Sequence, residues 1–169
     1  EVVVTGSYRH AQEKKTTLTL ELFQKDYLNR HFTGNLVQTL KNVPGVHSMD
    51  IGAGFSKPMI RGLGFNRIAV SENGIKQEGQ QWGADHGLEI DAFNVDEVRI
   101  LKGPSSLLYG SDAMGGVIEI LPLLPQKENR FFGEAALLGK SVNGTVGGSL
   151  MLGIEKNAWL VRVRFSEQH

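Results

Sequence analysis

Between Leu101 and Ile120 the chain reads LKGPSSLLYGSDAMGGVIEI, which places four glycines and a proline immediately before a β-branched apolar run. Glycines at this density serve either to cradle a phosphate or to turn the backbone where a Cβ would clash. A phosphate loop needs the pattern G-x-x-x-x-G-K-[ST] and a helix after it. Here the pattern is missing, and GGVIEI continues as a strand. The expectation is therefore tight turns at Gly103, Pro104, Gly110, Gly115 and Gly116, between a strand at 95–103 and another at 116–120.

Composition narrows the function classes. A chain of 169 residues with 40% hydrophobic content is long enough for one ordinary domain, or for a domain and part of another. Eighteen basic residues balance eighteen acidic ones, with no basic stripe, so nucleic acid is not an expected partner. The chain contains no cysteine, which removes disulfides, thiolate metal sites and cysteine nucleophiles. No apolar run approaches the ~18 residues of a spanning helix. The opening at Glu1, without an initiator Met or an apolar leader core, is the pattern of a processed or excised chain.

Upstream, EVVVTG (1–6) reads as a short extended run and TTLTLELF (16–23) as a strand leading into a helix near 22–32. A second helix is expected over NLVQTLKNV (35–43), with Thr33 as its cap and Pro44-Gly45 as its stop. PMIRG (58–62) and RIAVS (67–71) read as a hairpin turning at Gly62–Asn66. Such a hairpin would bring 48–56 and 76–91 together at its open end.

From about residue 130 the texture changes. FFGEAALLGKS and TVGGSLMLGI flank Val142-Asn143-Gly144, a turn signal, and AWLVRVRFSEQH follows. In that last segment Trp159, Val161, Val163 and Phe165 fall on one face, and Arg162, Arg164 and Ser166 on the other. This alternation fits the wall of a membrane β-barrel, and it also fits a water-soluble sheet with one covered face. Three strands alone would leave open edges.

Taken in order, EVVVTG, NVPGV (42–46), IRGLG (60–64), NGI (73–75) and VDEVRILKGPSSLLYGSDAMGGVIEI (95–120) resemble the plug domain of TonB-dependent outer-membrane receptors. The resemblance covers about residues 1–123, and 124–169 is similar to the start of the surrounding barrel, about three strands and incomplete. It implies an α+β plug, a small mixed sheet with flanking helices, followed by antiparallel strands of a truncated transmembrane β-barrel in the bacterial outer membrane. It also implies that the chain is not an enzyme and needs no cofactor. The implied work is energy-coupled uptake of a scarce large nutrient such as a ferric siderophore, haem or cobalamin. The implied partners are TonB, the protein's own barrel, an extracellular nutrient ligand and outer-membrane lipid.

Residue roles follow from the resemblance. Glu1, Val2, Val3, Val4 and Thr5 resemble the box that TonB grips, and an extended apolar pentapeptide can add as a strand to a partner's sheet. Arg61, Arg99 and Lys102 are implied to dock the plug against barrel carboxylates. Gly62, with the glycines and proline above, shapes turns. The outward loops offer Phe55, Gln80, Gln81, Trp82, Asp85 and His86 to a substrate. One His among carboxylates makes Asp85 and His86 weak candidates for a metal, and no metal site is assigned. Two other classes compete. Ser105 or Ser106 with Asp112 and His86 would suggest a hydrolase, but no G-x-S-x-G elbow is present. A plug-fold signalling module without transport is the other.

Overall fold

The structure, a computed structural model, describes residues 19–51, 54–79, 86–103, 109–126, 128–141, 144–157 and 159–169. Among the described residues, ten strands and two short α-helices follow one another in the order β1 (Thr19–Gln24), α1 (Lys25–Arg30), α2 (Leu36–Thr39), β2 (Val46–Ile51), β3 (Phe55–Ile60), β4 (Ile68–Glu72), β5 (Ile75–Gln77), β6 (Glu97–Lys102), β7 (Gly116–Leu121), β8 (Arg130–Gly139), β9 (Val146–Lys156) and β10 (Trp159–Gln168). Single 3-10 turns occur at Phe65–Arg67, Ala92–Asn94 and Ser111–Ala113.

Five strands form a mixed sheet in the order β1-β6-β7-β4-β5. Its central members β6 and β7 are rich in Val and Ile and pair antiparallel, with Ile100 opposite Ile118. β4 joins β7 in parallel, from Ile68 opposite Gly116 to Glu72 opposite Ile120. One face of this sheet carries Val98, Ile100, Ile118, Ile120 and Val70 into the main core, where Leu36, Val37 and Leu40 of the α2 region and Val46 and Ile60 of the β2–β3 pair complete it. The opposite face holds a smaller cluster of Ala69, Leu101, Ala113 and Val117 with Leu20 and Tyr109.

The expected hairpin of 58–62 with 67–71 does not form. β3 pairs instead with β2, Val46 opposite Ile60, and β4 belongs to the other sheet. Arg61, Gly62 and Phe65 all carry positive φ, which takes the chain out of extended geometry between the two segments. The Ile60 and Leu63 amides and carbonyls bond each other across this tight reversal, at 2.8 and 2.9 Å. A short-range strand pattern marks strands without choosing their partners.

The helices are also shorter than expected. β1 stays paired with β6 through Gln24 opposite Glu97, so helix starts only at Lys25. Asn35, not Thr33, caps α2: its side-chain oxygen accepts from the Val37 and Gln38 amides at 2.9 and 3.3 Å. The Thr33 hydroxyl donates to the Asn35 carbonyl.

In the glycine block the turn reading has a steric basis. A Cβ on Gly116, at φ +149°, would lie 2.4 Å from the Leu101 carbonyl oxygen, and one on Gly115 would lie 2.8 Å from the Leu63 Cβ. Pro104, with Ser105 and Ser106, lies outside the described residues.

β8, β9 and β10 form a separate antiparallel meander in the order β10-β9-β8. Among the described residues no helix is long and apolar enough to cross a membrane.

Candidate functional site

Ten or eleven residues long, the meander strands match the length needed to cross a bilayer at a tilt. Burial alternates along every one of them. Register stacks Phe131, Ile154 and Val161 in one row, Gly133, Leu152 and Val163 in the next, and Ala135, Leu150 and Phe165 in a third. These rows, with Leu137 at 93% and Trp159 at 78% exposure, form an apolar face that no described residue covers. The other face carries Glu134, Ser149, Glu155, Arg162 and Arg164 toward the mixed-sheet half. A water-soluble sheet would bury the apolar face and show the charged one. The observed orientation is the reverse, which fits a barrel wall seen from the lipid.

The charged face is where the two halves meet. Asp96, 5% exposed, sits just before β6. Its Oδ1 accepts from Lys25 Nζ at 3.2 Å and its Oδ2 from Arg162 Nη1. Lys25 also donates to Glu134 Oε2 on β8, which receives Arg164 Nη2 at 3.2 Å. Burial pushes the Asp96 carboxyl up, and that is the largest single influence. The hydrogen bonds and charges of Arg162 and Lys25 together outweigh it and hold the group below its ordinary value. Higher on the same seam, Asp91 accepts from Ser166 Oγ at 2.6 Å while capping the 92–94 turn. Gly34, at φ +77°, lies so close to the Leu138 side chain that a Cβ there would stand 2.3 Å from it. Cavities of about 310 and 350 Å³ flank the Lys25–Glu134 bridge, and Asn29 and Glu134 line both.

A second cluster lies on the exposed end of the mixed-sheet half. Phe55, 55% exposed, opens β3. The segment from His86 runs beside it: Leu88 N–H donates to the Ser56 carbonyl at 3.1 Å, and Gly87 approaches the Phe55 Cβ so closely that its own Cβ would stand 2.8 Å away. The Asn35 amide fixes the same tip by donating to the Gly54 carbonyl at 2.9 Å. Below it, Asp50 accepts from the Ser48 and Ser56 hydroxyls, and the Ser48 bond is the first reason its carboxyl is lowered.

A family model described as the TonB-dependent Receptor Plug Domain matches residues 12–117. The chain belongs to this family. It is 27% identical over 136 residues to the iron-regulated outer membrane virulence protein of Vibrio cholerae serotype O1, covering 76% of this chain and 21% of that protein. It is 28% identical over 132 residues to the vitamin B12 transporter BtuB of Vibrio vulnificus, with the same two coverages. Among solved structures, the open form of the ferric-catecholate import receptor Fiu of E. coli K12 superposes with a TM-score of 0.67 at 25% identity, over 90% of this chain and 21% of that one. The chain therefore spans about a fifth of the length of the curated relatives it matches. The mixed-sheet half is the plug, and the meander is barrel wall.

The expected site residues divide into three groups. Glu1 to Thr5, Gln80, Gln81, Trp82 and Asp85 lie outside the described residues. Phe55 and His86 lie on adjacent, exposed segments of the plug. Of the metal candidates His86 alone is described, and no group of metal-binding side chains occurs among the described residues.

Of the third group, expected to dock the plug on barrel carboxylates, Arg99 and Lys102 have described partners within the plug. Arg99 faces Glu119 across the β6–β7 ladder, Nη1 to Oε2 at 3.3 Å, because the two are register partners on one face of the plug sheet. Lys102, 4% exposed, donates to Glu21 Oε1 of β1 at 2.6 Å and to the Pro44 carbonyl. Arg61 is exposed, in a left-handed backbone conformation. Among the described residues, the hydrogen bonds between plug and wall run through Lys25, Asp96 and Asp91. Sequence reading missed these three as docking groups. Their partners lie 71 to 109 residues away for the two Lys25 bonds, 66 for Asp96 with Arg162 and 75 for Asp91 with Ser166, and the one local signal was an unpaired-looking Asp96 entering an apolar strand.

Of the hydrolase set, Ser105 and Ser106 lie outside the described residues, and only Asp112 and His86 are described. Asp112 holds Lys76 in an ion pair, and that hydrogen bond is the main reason the Lys76 ammonium titrates above its ordinary value. The family is one of receptors and transporters.

Proposed function

We propose that this chain is the plug and first wall strands of an outer-membrane receptor that imports a scarce, large nutrient, a ferric siderophore, haem or cobalamin, using energy delivered by TonB. The observation that carries this reading is the orientation of the meander: its apolar rows face outward and its charged rows clamp the plug, as a plug-filled lipid-embedded barrel requires. TonB engages residues 1–5 by strand addition. The substrate lies on the plug end carrying Phe55 and His86, with Gln80, Gln81, Trp82 and Asp85 of the neighbouring loop adding a stacking surface and hydrogen bonds. The chain gates the barrel and contributes to recognition, and it catalyses no reaction.

The test is binding of the whole receptor to a panel of ferric siderophores, haem and cobalamin, repeated with Trp82→Ala and His86→Ala. Tight binding of one ligand, weakened about tenfold or more by Trp82→Ala, is the expected result for a stacking contact. Binding that neither substitution alters would move recognition away from this loop, and no binding to any member would overturn the cargo class.

A further inference from the structure

Gly34 and Asn35 lie between the wall and the exposed tip of the plug. On the wall, register sets Leu138, Gly147 and Gln168 in one row. The central glycine leaves room between the two flanking side chains, and the Gly34 backbone lies against both: a Cβ on it would stand 2.3 Å from Leu138 Cδ2 and 3.2 Å from Gln168 Oε1.

From that seat Asn35, 8% exposed, reaches two partners with one side chain. Its Oδ1 accepts from the Val37 and Gln38 amides, and its Nδ2 donates to the Gly54 carbonyl. The Asn35 carbonyl accepts from the Thr39 hydroxyl at 2.8 Å and the Thr33 hydroxyl at 3.1 Å, so the side chain leaves a fixed backbone. Asn, Asp and Ser cap a helix about equally well. Of the three, only Asn carries an acceptor and a donor at this reach. Asp would set oxygen against the Gly54 oxygen, and Ser is too short to cap the helix and reach Gly54 together. Capping alone does not require Asn here, whereas the bond to Gly54 does.

Gly54 precedes Phe55, and the bond from the Leu88 amide to the Ser56 carbonyl fixes the strand on the other side of Phe55. We propose that Asn35 is the positioning residue of the substrate end: it ties the Phe55 tip to a turn seated on the wall, so that Phe55 meets a ligand at a set place relative to the wall. This rests on the reading of the Phe55–His86 end as the substrate face.

Hydrogen exchange on the whole receptor in detergent micelles separates the two duties of the side chain, with 36–43 reporting the cap and 54–58 the tie. Asn35→Asp and Asn35→Ser are expected to speed exchange in 54–58 by about three- to tenfold and to leave 36–43 at the wild-type rate, whereas Asn35→Ala speeds both. In parallel, the ferric siderophores, haem and cobalamin are titrated into wild type and variants without labels. The member that wild type binds should lose about three- to tenfold in affinity in Asn35→Asp and Asn35→Ser. Exchange in 54–58 unchanged by both variants, equal speeding of both segments, or loss of folding in both variants would overturn the inference by making Asn35 no more than a structural cap. A loosened tip with undiminished affinity would overturn its role toward substrate. Wild type that binds no member of the panel overturns the cargo class, and the exchange rates still decide whether the tie exists.

Discussion

Single side chains set how the plug responds to pH. Asp96 titrates below its ordinary value of 3.8, so the stability it confers is complete above that value and is lost as pH falls through the lowered one. Asp96→Ala is expected to cost about 2 kcal/mol at pH 7, read from urea midpoints, with the gap to wild type closing only in strong acid. An equal gap at pH 7 and pH 2 would show that the charge contributes nothing. Tyr109 behaves oppositely. Burial first, then the charge and hydrogen bond of Glu119, push its phenol up to about 12, against the pull of Arg99. Its contribution is full below pH 10 and disappears as pH rises toward 12. Tyr27 is raised as well, by burial and then by the charge of Glu21, so absorbance titration at alkaline pH should lose a late component near pH 12 on Tyr109→Phe and keep the rest.

Among elements, β6 and β7 and the three wall strands were readable from the sequence because period-2 alternation there coincides with a half-buried or fully buried sheet. The β4–β5 reversal was also readable, since Asn73 and Gly74 both take positive φ as an Asn-Gly turn requires. What the pattern could not supply was partnership. PMIRG and RIAVS look like two arms of one hairpin, yet β4 finds β7 in parallel from across the chain, and β3 finds β2. The charge network was hidden for the same reason: Lys25 and Glu134 are 109 residues apart. The glycine block was readable in kind, and Gly116→Ala follows from it. With a positive φ and the Leu101 carbonyl in the way, the substitution is expected to destabilise the plug by more than about 2 kcal/mol, measured by urea unfolding. A change within 0.5 kcal/mol, roughly the scatter of neutral surface substitutions, would show that the turn tolerates a side chain.

For the whole molecule, the direction in which the meander faces decides its place: the uncharged rows face outward and the charged rows face the plug. Two alternating environments within one strand also predict two opposite penalties. Val163→Arg would put a charge on the apolar face at a cost of about 2–4 kcal/mol near the bilayer centre, while Arg164 belongs to the contact with Glu134. This chain itself contributes no cysteine to compete with a placed label. The most direct measurement is spin labelling of single cysteines along 159–168 in the membrane-reconstituted receptor, comparing collision with oxygen, which concentrates in lipid, and with a water-soluble nickel chelate. Labels at 161, 163 and 165 should favour oxygen and those at 162, 164 and 166 should be shielded from both, a strict period of two. Access of the nickel chelate to 161, 163 and 165 would contradict a lipid-facing wall, and with it the receptor reading of the chain.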